Sequence, residues 1–81
     1  MTINVFTQPN CQPCRMTKRW LNKHGIKFNE LNISDYADVL RERGYQSAPV
    51  VQIIQPNGDE VTWSGSFDIK KLQQYCLTNA H

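Results

Sequence analysis

Eighty-one residues, 40% hydrophobic and 20% charged, describe one ordinary globular domain. A chain of this length buries roughly 60% of its unfolded surface, enough for one modest core. The formal net charge of +2 is too small to point to nucleic acid, and no apolar run approaches the ~20 residues that cross a bilayer, so neither partner is expected.

Taken in order, Thr2 to Phe6 reads as a strand that Pro9 ends. Residues 12 to 24 read as a helix, with Pro13 in its first turn, where a missing N–H is harmless, and Gly25 as its C-terminal cap. Met16, Trp20 and Leu21 form its apolar side, and Cys14, Thr17, Leu21 and His24 an adjacent stripe. Lys27 to Ile33 alternates, with Phe28, Leu31 and Ile33 apolar, and predicts a second strand. Ser34 or Asp35 can cap a second helix whose apolar side is Tyr36, Val39 and Leu40 and which Gly44 closes. Val50 to Ile54 is a β-branched strand, Pro56-Asn57-Gly58-Asp59 a hairpin turn, and Val61 to Ser64 the returning strand. Asp68 or Ser66 begins a last helix with Ile69, Leu72 and Cys76 on one stripe. The order β-α-β-α-β-β-α predicts one α/β domain over residues 1–81. Its four-stranded mixed sheet carries helices on both faces, and a right-handed crossover makes the first two strands parallel.

The chemistry concentrates in Cys11-Gln12-Pro13-Cys14, at the junction of first strand and first helix. Two thiols so spaced can exchange a disulfide, hold half of a metal site, or pack inertly. A helix N-terminus favours an anion through its unpaired N–H groups and dipole, and a thiolate, not a thiol, attacks disulfides. Cys11 is therefore expected to be exposed, to have the lower pKa and to attack first. Cys14, one turn further in and partly buried, is expected to resolve the mixed disulfide. Arg15 and Lys18 add positive charge nearby, and Pro13 stiffens the turn. A structural zinc site needs four ligands, and only Cys76, His24 and His81 remain, so no metal is expected. The three cysteines do not form a secreted framework, and the opening residues lack a basic leader with an apolar core, so a cytoplasmic location is expected.

Ala48-Pro49 precedes the third strand, at the C-terminal end of the first by topology. A cis bond there would set the loop beside the sulfurs and offer the Ala48 backbone to an extended substrate.

These features together resemble the thioredoxin fold in its short glutaredoxin form. Within that form the closest likeness is to the NrdH-redoxins, the glutaredoxin-like electron donors of class Ib ribonucleotide reductase. The matching pieces are Cys11-Gln12-Pro13-Cys14, Thr17-Lys18-Arg19, Ala48-Pro49-Val50-Val51 and Trp63-Ser64-Gly65. The resemblance implies a monomeric dithiol redoxin with no bound cofactor. Its Cys11–Cys14 disulfide is reduced by thioredoxin reductase, with NADPH as the ultimate electron source. Cys11 maps to the nucleophile, Cys14 to the resolving cysteine and Pro49 to the cis-proline. Trp63, Ser64 and Gly65 map to the motif that shapes the reductase-binding surface. Gln12, Pro13 and Ala48 join them as expected partner-binding residues, with Gln12 read either as a partner contact or as shaping the turn. Ser66 departs from the usual Trp-Ser-Gly-Phe, the hairpin around Asn57-Gly58 is longer than in the family, and Gln12-Pro13 is more thioredoxin-like.

A glutathione-dependent glutaredoxin is the competing reading. Gln8 stands where glutaredoxins carry a cation, but Gly65 and Asp68 keep part of their ligand site, and a helix N-terminus at residues 66–68 could accept a carboxylate. A C-x-x-C metallochaperone is the third reading. Its carriers end in a strand, whereas this chain ends in a helical stripe. Elsewhere, Cys76 and Trp20 read as core, His24 as a helix-end cation and His81 as a mobile terminus. Trp63 divides evenly between core and partner contact. Thr7 and Asn10 border the cysteines, and Tyr45 and Phe67 are possible rim aromatics. Lys18, Arg19, Lys23 and Lys27 read first as a solvated face and second as a docking surface for an acidic partner.

Overall fold

Ile3 and Val5 on one side and Phe6 on the other give the first strand an apolar surface on both faces, so it can only be central. The computed structural model, which describes residues 1–77, places that strand, β1 (Thr2–Thr7), inside a four-stranded sheet. Helix α1 (Gln12–Lys23) crosses back to β2 (Asn29–Asn32), which pairs parallel to β1 with Thr7 opposite Asn32. A 3-10 turn (Ile33–Tyr36) and α2 (Ala37–Glu42) lead to β3 (Val50–Ile54), antiparallel to β1 with Phe6 opposite Val50. The hairpin returns as β4 (Glu60–Ser64), and α3 (Ile69–Cys76) closes the described chain. The strand order is β2-β1-β3-β4. No helix among the described residues is long and apolar enough to cross a membrane.

The two faces carry separate clusters. Ile3, Val5, Val51, Ile53 and Trp63 meet Trp20 and Leu21 of α1 and Leu72 and Cys76 of α3 on one face. Phe6 and Val50 meet Leu40 of α2 on the other. The expected sheet, with helices on both faces, is therefore present.

Helix ends follow the sequence closely. Both α1 and α2 finish in a Schellman motif. Gly25 N–H donates to Asn22 C=O and Ile26 N–H to Leu21 C=O, and Gly44 and Tyr45 repeat this on Arg41 and Leu40. Ile26 then packs on the Leu21 cluster and Tyr45 on the Leu40 cluster, the apolar contact that accompanies this cap. Asp68 caps α3 by accepting the Lys71 N–H at 3.1 Å.

Several expectations need correction. Neither Ser34 nor Asp35 caps the second helix: Asn32 accepts the Ser34 N–H and opens a 3-10 turn instead, and α2 is left with six residues. With so short a helix only Leu40 reaches the core, and Val39 is 58% exposed. Met16 and Ile69 also face outward, because the buried stripe of α1 is Cys14, Thr17, Trp20 and Leu21 and that of α3 is Leu72 and Cys76. His81 lies outside the described residues.

Candidate active site

The turn after β1 is built to start a helix abruptly. Asn10 takes a positive φ of 58°, a conformation that Asn tolerates better than most residues. Cys11 follows in an extended conformation as the N-cap of α1. Its Sγ accepts the N–H of Cys14 at 3.2 Å, in the place that a Ser or Asp oxygen usually takes. Its carbonyl accepts the Arg15 N–H, also at 3.2 Å. Pro13 has no N–H, so Cys14 supplies the donor that faces the sulfur. The first turn holds no acidic residue that would oppose a negative sulfur.

Cys11 and Cys14 are joined as a disulfide, with Cα atoms 5.2 Å apart. Cys11 keeps 6% of its surface exposed and Cys14 2%. The order of exposure is the expected one, but Cys11 is far more covered than its position in a turn suggested. The cause is local: its sulfur lies over the first helical turn and is bonded to Cys14. Gln12 is exposed and accepts a hydrogen bond from Arg15, and the Pro13 carbonyl accepts the buried Thr17 hydroxyl at 2.8 Å.

Beside the disulfide a groove of about 570 Å³ opens toward β2, lined by Thr7, Cys11, Cys14, Arg15, Lys18 and Glu30 among others. Its wall is the ion pair of Lys18 Nζ and Glu30 Oε2 at 2.8 Å, to which the Thr7 hydroxyl adds a hydrogen bond of 3.2 Å. The Lys18 ammonium, chiefly by hydrogen bonding, holds the Glu30 carboxyl below its ordinary pKa. Glu30 escaped sequence reasoning. Only the parallel register, which sets Val5 opposite Glu30, brings it to a helix twelve residues away.

The Ala48–Pro49 peptide is cis and Pro49 is buried, placed by the Phe6–Val50 pairing where β1 runs out toward the cysteines. Gly65 donates its N–H to the Pro49 carbonyl at 3.0 Å. It does so with a φ of +87°, which an L side chain resists. Ser64 pairs with Val50. The Ala48 backbone takes part in none of the turn, loop or cap hydrogen bonds among the described residues. Thus Cys11-Gln12-Pro13-Cys14, Ala48-Pro49 and Ser64-Gly65 belong to adjacent segments at one end of the sheet.

Trp63 differs. Its side chain is 6% exposed and belongs to the core cluster with Trp20 and Leu72, with the Lys71 ammonium 5.5 Å from its ring centre. Pairing with Val51 turns it toward α1 and α3, where the ring packs in the core. Its indole N–H has no partner among the described residues. Tyr45 and Phe67 are half-buried against the two clusters. His24 ends α1 and lies 4.3 Å, ring to ring, from Trp20. Cys76 is buried, and desolvation pushes its thiol up to about 11. Among the described residues, no three His, Cys, Asp or Glu side chains group as a metal site.

A glutaredoxin family model matches residues 3–57, which include the disulfide, the cis proline and three of the four strands. The chain belongs to the glutaredoxin family. Within it the likeness is to the NrdH type. The glutaredoxin-like protein NrdH of Salmonella typhimurium is 35% identical over 68 residues, covering 80% of this chain and 78% of that one. The NrdH of Lactococcus lactis subsp. cremoris is 38% identical over 52 residues, covering 60% and 72%. The solved structure of NrdH-redoxin from Escherichia coli, described as a glutaredoxin-like protein with a thioredoxin-like activity profile, superposes over 100% of both chains with a TM-score of 0.80 at 30% identity. As a glutaredoxin-family member of NrdH type, the chain is a thiol-disulfide oxidoreductase with its redox pair at Cys11 and Cys14.

Proposed function

We propose that this redoxin is a cytoplasmic, monomeric dithiol donor of electrons to protein disulfides, foremost those of class Ib ribonucleotide reductase, and that thioredoxin reductase re-reduces it with electrons from NADPH. The observation that carries the reading is the capping of α1 by a sulfur: Cys14 N–H on Cys11 Sγ, with no acidic residue in the first turn. That position favours the anionic sulfur that disulfide exchange requires.

In this reading Cys11, reduced, attacks one sulfur of the substrate disulfide, and the other leaves as a thiolate that takes a proton. Cys14 then gives up its proton and attacks Cys11 Sγ. The second substrate thiol departs, and the Cys11–Cys14 disulfide remains. Two electrons and two protons have passed to the substrate. Gln12 and Pro13 frame the attacking sulfur, Ala48 offers unpaired backbone to an extended substrate, and Pro49 with Ser64 and Gly65 forms the neighbouring wall.

Support for a protein reductant over glutathione comes from Gln8, an uncharged residue of the disulfide groove at the position where glutaredoxins carry a cation, and from the pairing of Lys18 in that groove with Glu30. A coupled assay decides between them: NADPH consumption with thioredoxin reductase against glutathione with its reductase. Rapid turnover with the first and slow turnover with the second is expected. The reverse pattern would establish a glutathione-dependent glutaredoxin.

A further inference from the structure

Charge is distributed unevenly along this chain. Residues 1–29 hold five Lys or Arg and no Asp or Glu, whereas residues 30–81 hold four Lys or Arg and seven Asp or Glu. Four of the first five cations, Arg15, Lys18, Arg19 and Lys23, stand on α1. Arg15, Arg19 and Lys23 follow one another at i, i+4 and i+8, and all three are exposed. Like charges at this spacing repel and weaken a helix, where an interleaved Glu would strengthen it. Lys23, in the last turn, suits the helix dipole, but helix stability gives no reason for Arg15 and Arg19.

Local partners do not absorb it. Glu30 pairs with Lys18, and the Gln12 amide oxygen accepts from Arg15. Arg19 and Lys23 face no carboxylate within ion-pair distance among the described residues. A shallow depression on the helix is lined by Arg15, Lys18, Arg19, Asn22 and Lys23, and Arg15 and Lys18 also line the disulfide groove. The basic face and the redox site are one continuous surface.

From this geometry we propose that the Arg15-Arg19-Lys23 face of α1 docks an acidic segment that flanks the disulfide of the substrate protein. This rests on the dithiol-donor reading above. From Arg15 to Lys23 the helix rises about 12 Å, the span of roughly four extended residues. A segment of that length with two or three carboxylates, starting beside the substrate cysteines, meets all three cations while its disulfide sits at Cys11. Nucleic acid fits less well. The only aromatic of α1, Trp20, is buried and offers no stacking platform, and the acid excess of residues 30–81 opposes a longer polyanion.

Fluorescence anisotropy of the oxidised protein with a cysteine-free acidic peptide, its Asn/Gln counterpart and a single-stranded oligonucleotide of equal charge tests the docking directly. The acidic peptide should bind about tenfold tighter than the neutral one at low ionic strength, and the gap should close in roughly 0.5 M salt. Arg19→Gln with Lys23→Gln should remove most of the gap, whereas Arg41→Gln with Lys70→Gln, an equal loss of charge elsewhere, should keep it. Equal binding of the two peptides, equal loss in both double variants, or tighter binding of the oligonucleotide would overturn the proposal. The same peptides carrying a disulfide report the chemistry separately. The Arg19/Lys23 variant should raise KM for the acidic substrate and leave kcat in place. Binding that follows the pattern with neither disulfide reduced would overturn the dithiol-donor reading and leave the docking face standing.

Discussion

The Gly65 N–H reaches the Pro49 carbonyl at 3.0 Å, and this one bond ties the end of β4 to the cis-proline loop that leads into β3. Gly65 makes it with a φ of +87°, while a Cβ there would meet Ser47 Cβ at an ordinary 3.5 Å. The penalty for a side chain is therefore conformational and not steric. Gly65→Ala should destabilise the fold by roughly 1–2 kcal/mol. A lower urea midpoint with unchanged slope is the expected reading. An unchanged midpoint would mean that the backbone at Gly65 relaxes freely.

Trp63→Phe separates core from contact. Phenylalanine leaves a small void but removes a buried indole N–H that has no partner among the described residues. These effects oppose each other, so the net loss should stay within about 1–2 kcal/mol. Turnover with protein disulfides should stay within about twofold of the parent. A large drop in kcat/KM at unchanged stability would return Trp63 to the partner surface.

Cys76 makes stability fall in alkali. Burial raises its thiol from 9.0 to about 11. Between those values the unfolded chain loses a proton that the folded chain keeps. Rising pH then favours unfolding, while below pH 9.0 the thiol is protonated in both states and contributes no slope. Denaturation midpoints of wild type and Cys76→Ala, compared across this window, should converge as the pH rises. Parallel curves would show that Cys76 is not desolvated.

The Lys18–Glu30 pair predicts the opposite pH sign. Glu30 is held below 4.5, first by its hydrogen bond from Lys18. Its contribution is present above that ordinary value and is lost as the pH falls through the lower folded one. Lys18→Gln should move the Glu30 carboxyl titration, followed by NMR, upward toward 4.5. The pair is largely solvated, so the accompanying loss of stability should be less than about 1 kcal/mol. A Glu30 titration that ignores the substitution would remove this pair as the wall of the groove.

Much of the fold was legible because its signals are local. The β-branched run at Val50–Ile54, the Pro56-Asn57-Gly58-Asp59 turn and the capping glycines Gly25 and Gly44 each act within a few residues. The redox pair was legible for the same reason, since a C-x-x-C motif and a Pro in the first turn define a helix start by themselves. What escaped depends on register. Glu30 joins the site only when β2 is laid parallel to β1, and Trp63 turns inward only once it stands opposite Val51. The side chain of Asn32 replaced the expected Ser34 or Asp35 cap with a 3-10 turn, a competition between neighbours that composition does not decide.

The division of labour between Cys11 and Cys14 is tested most directly by trapping. Reduced Cys14→Ser and Cys11→Ser proteins are each incubated with an oxidised substrate protein, and the products are resolved without reductant and mapped by mass spectrometry. Cys14→Ser should accumulate a mixed disulfide through Cys11, because the attacking sulfur is present and the resolving one is gone. Cys11→Ser should form little adduct, because the remaining sulfur lies one turn inside the helix and does not occupy the N-cap. A stable adduct through Cys14 with none through Cys11 would contradict this, and would assign the attack to the sulfur one turn inside the helix.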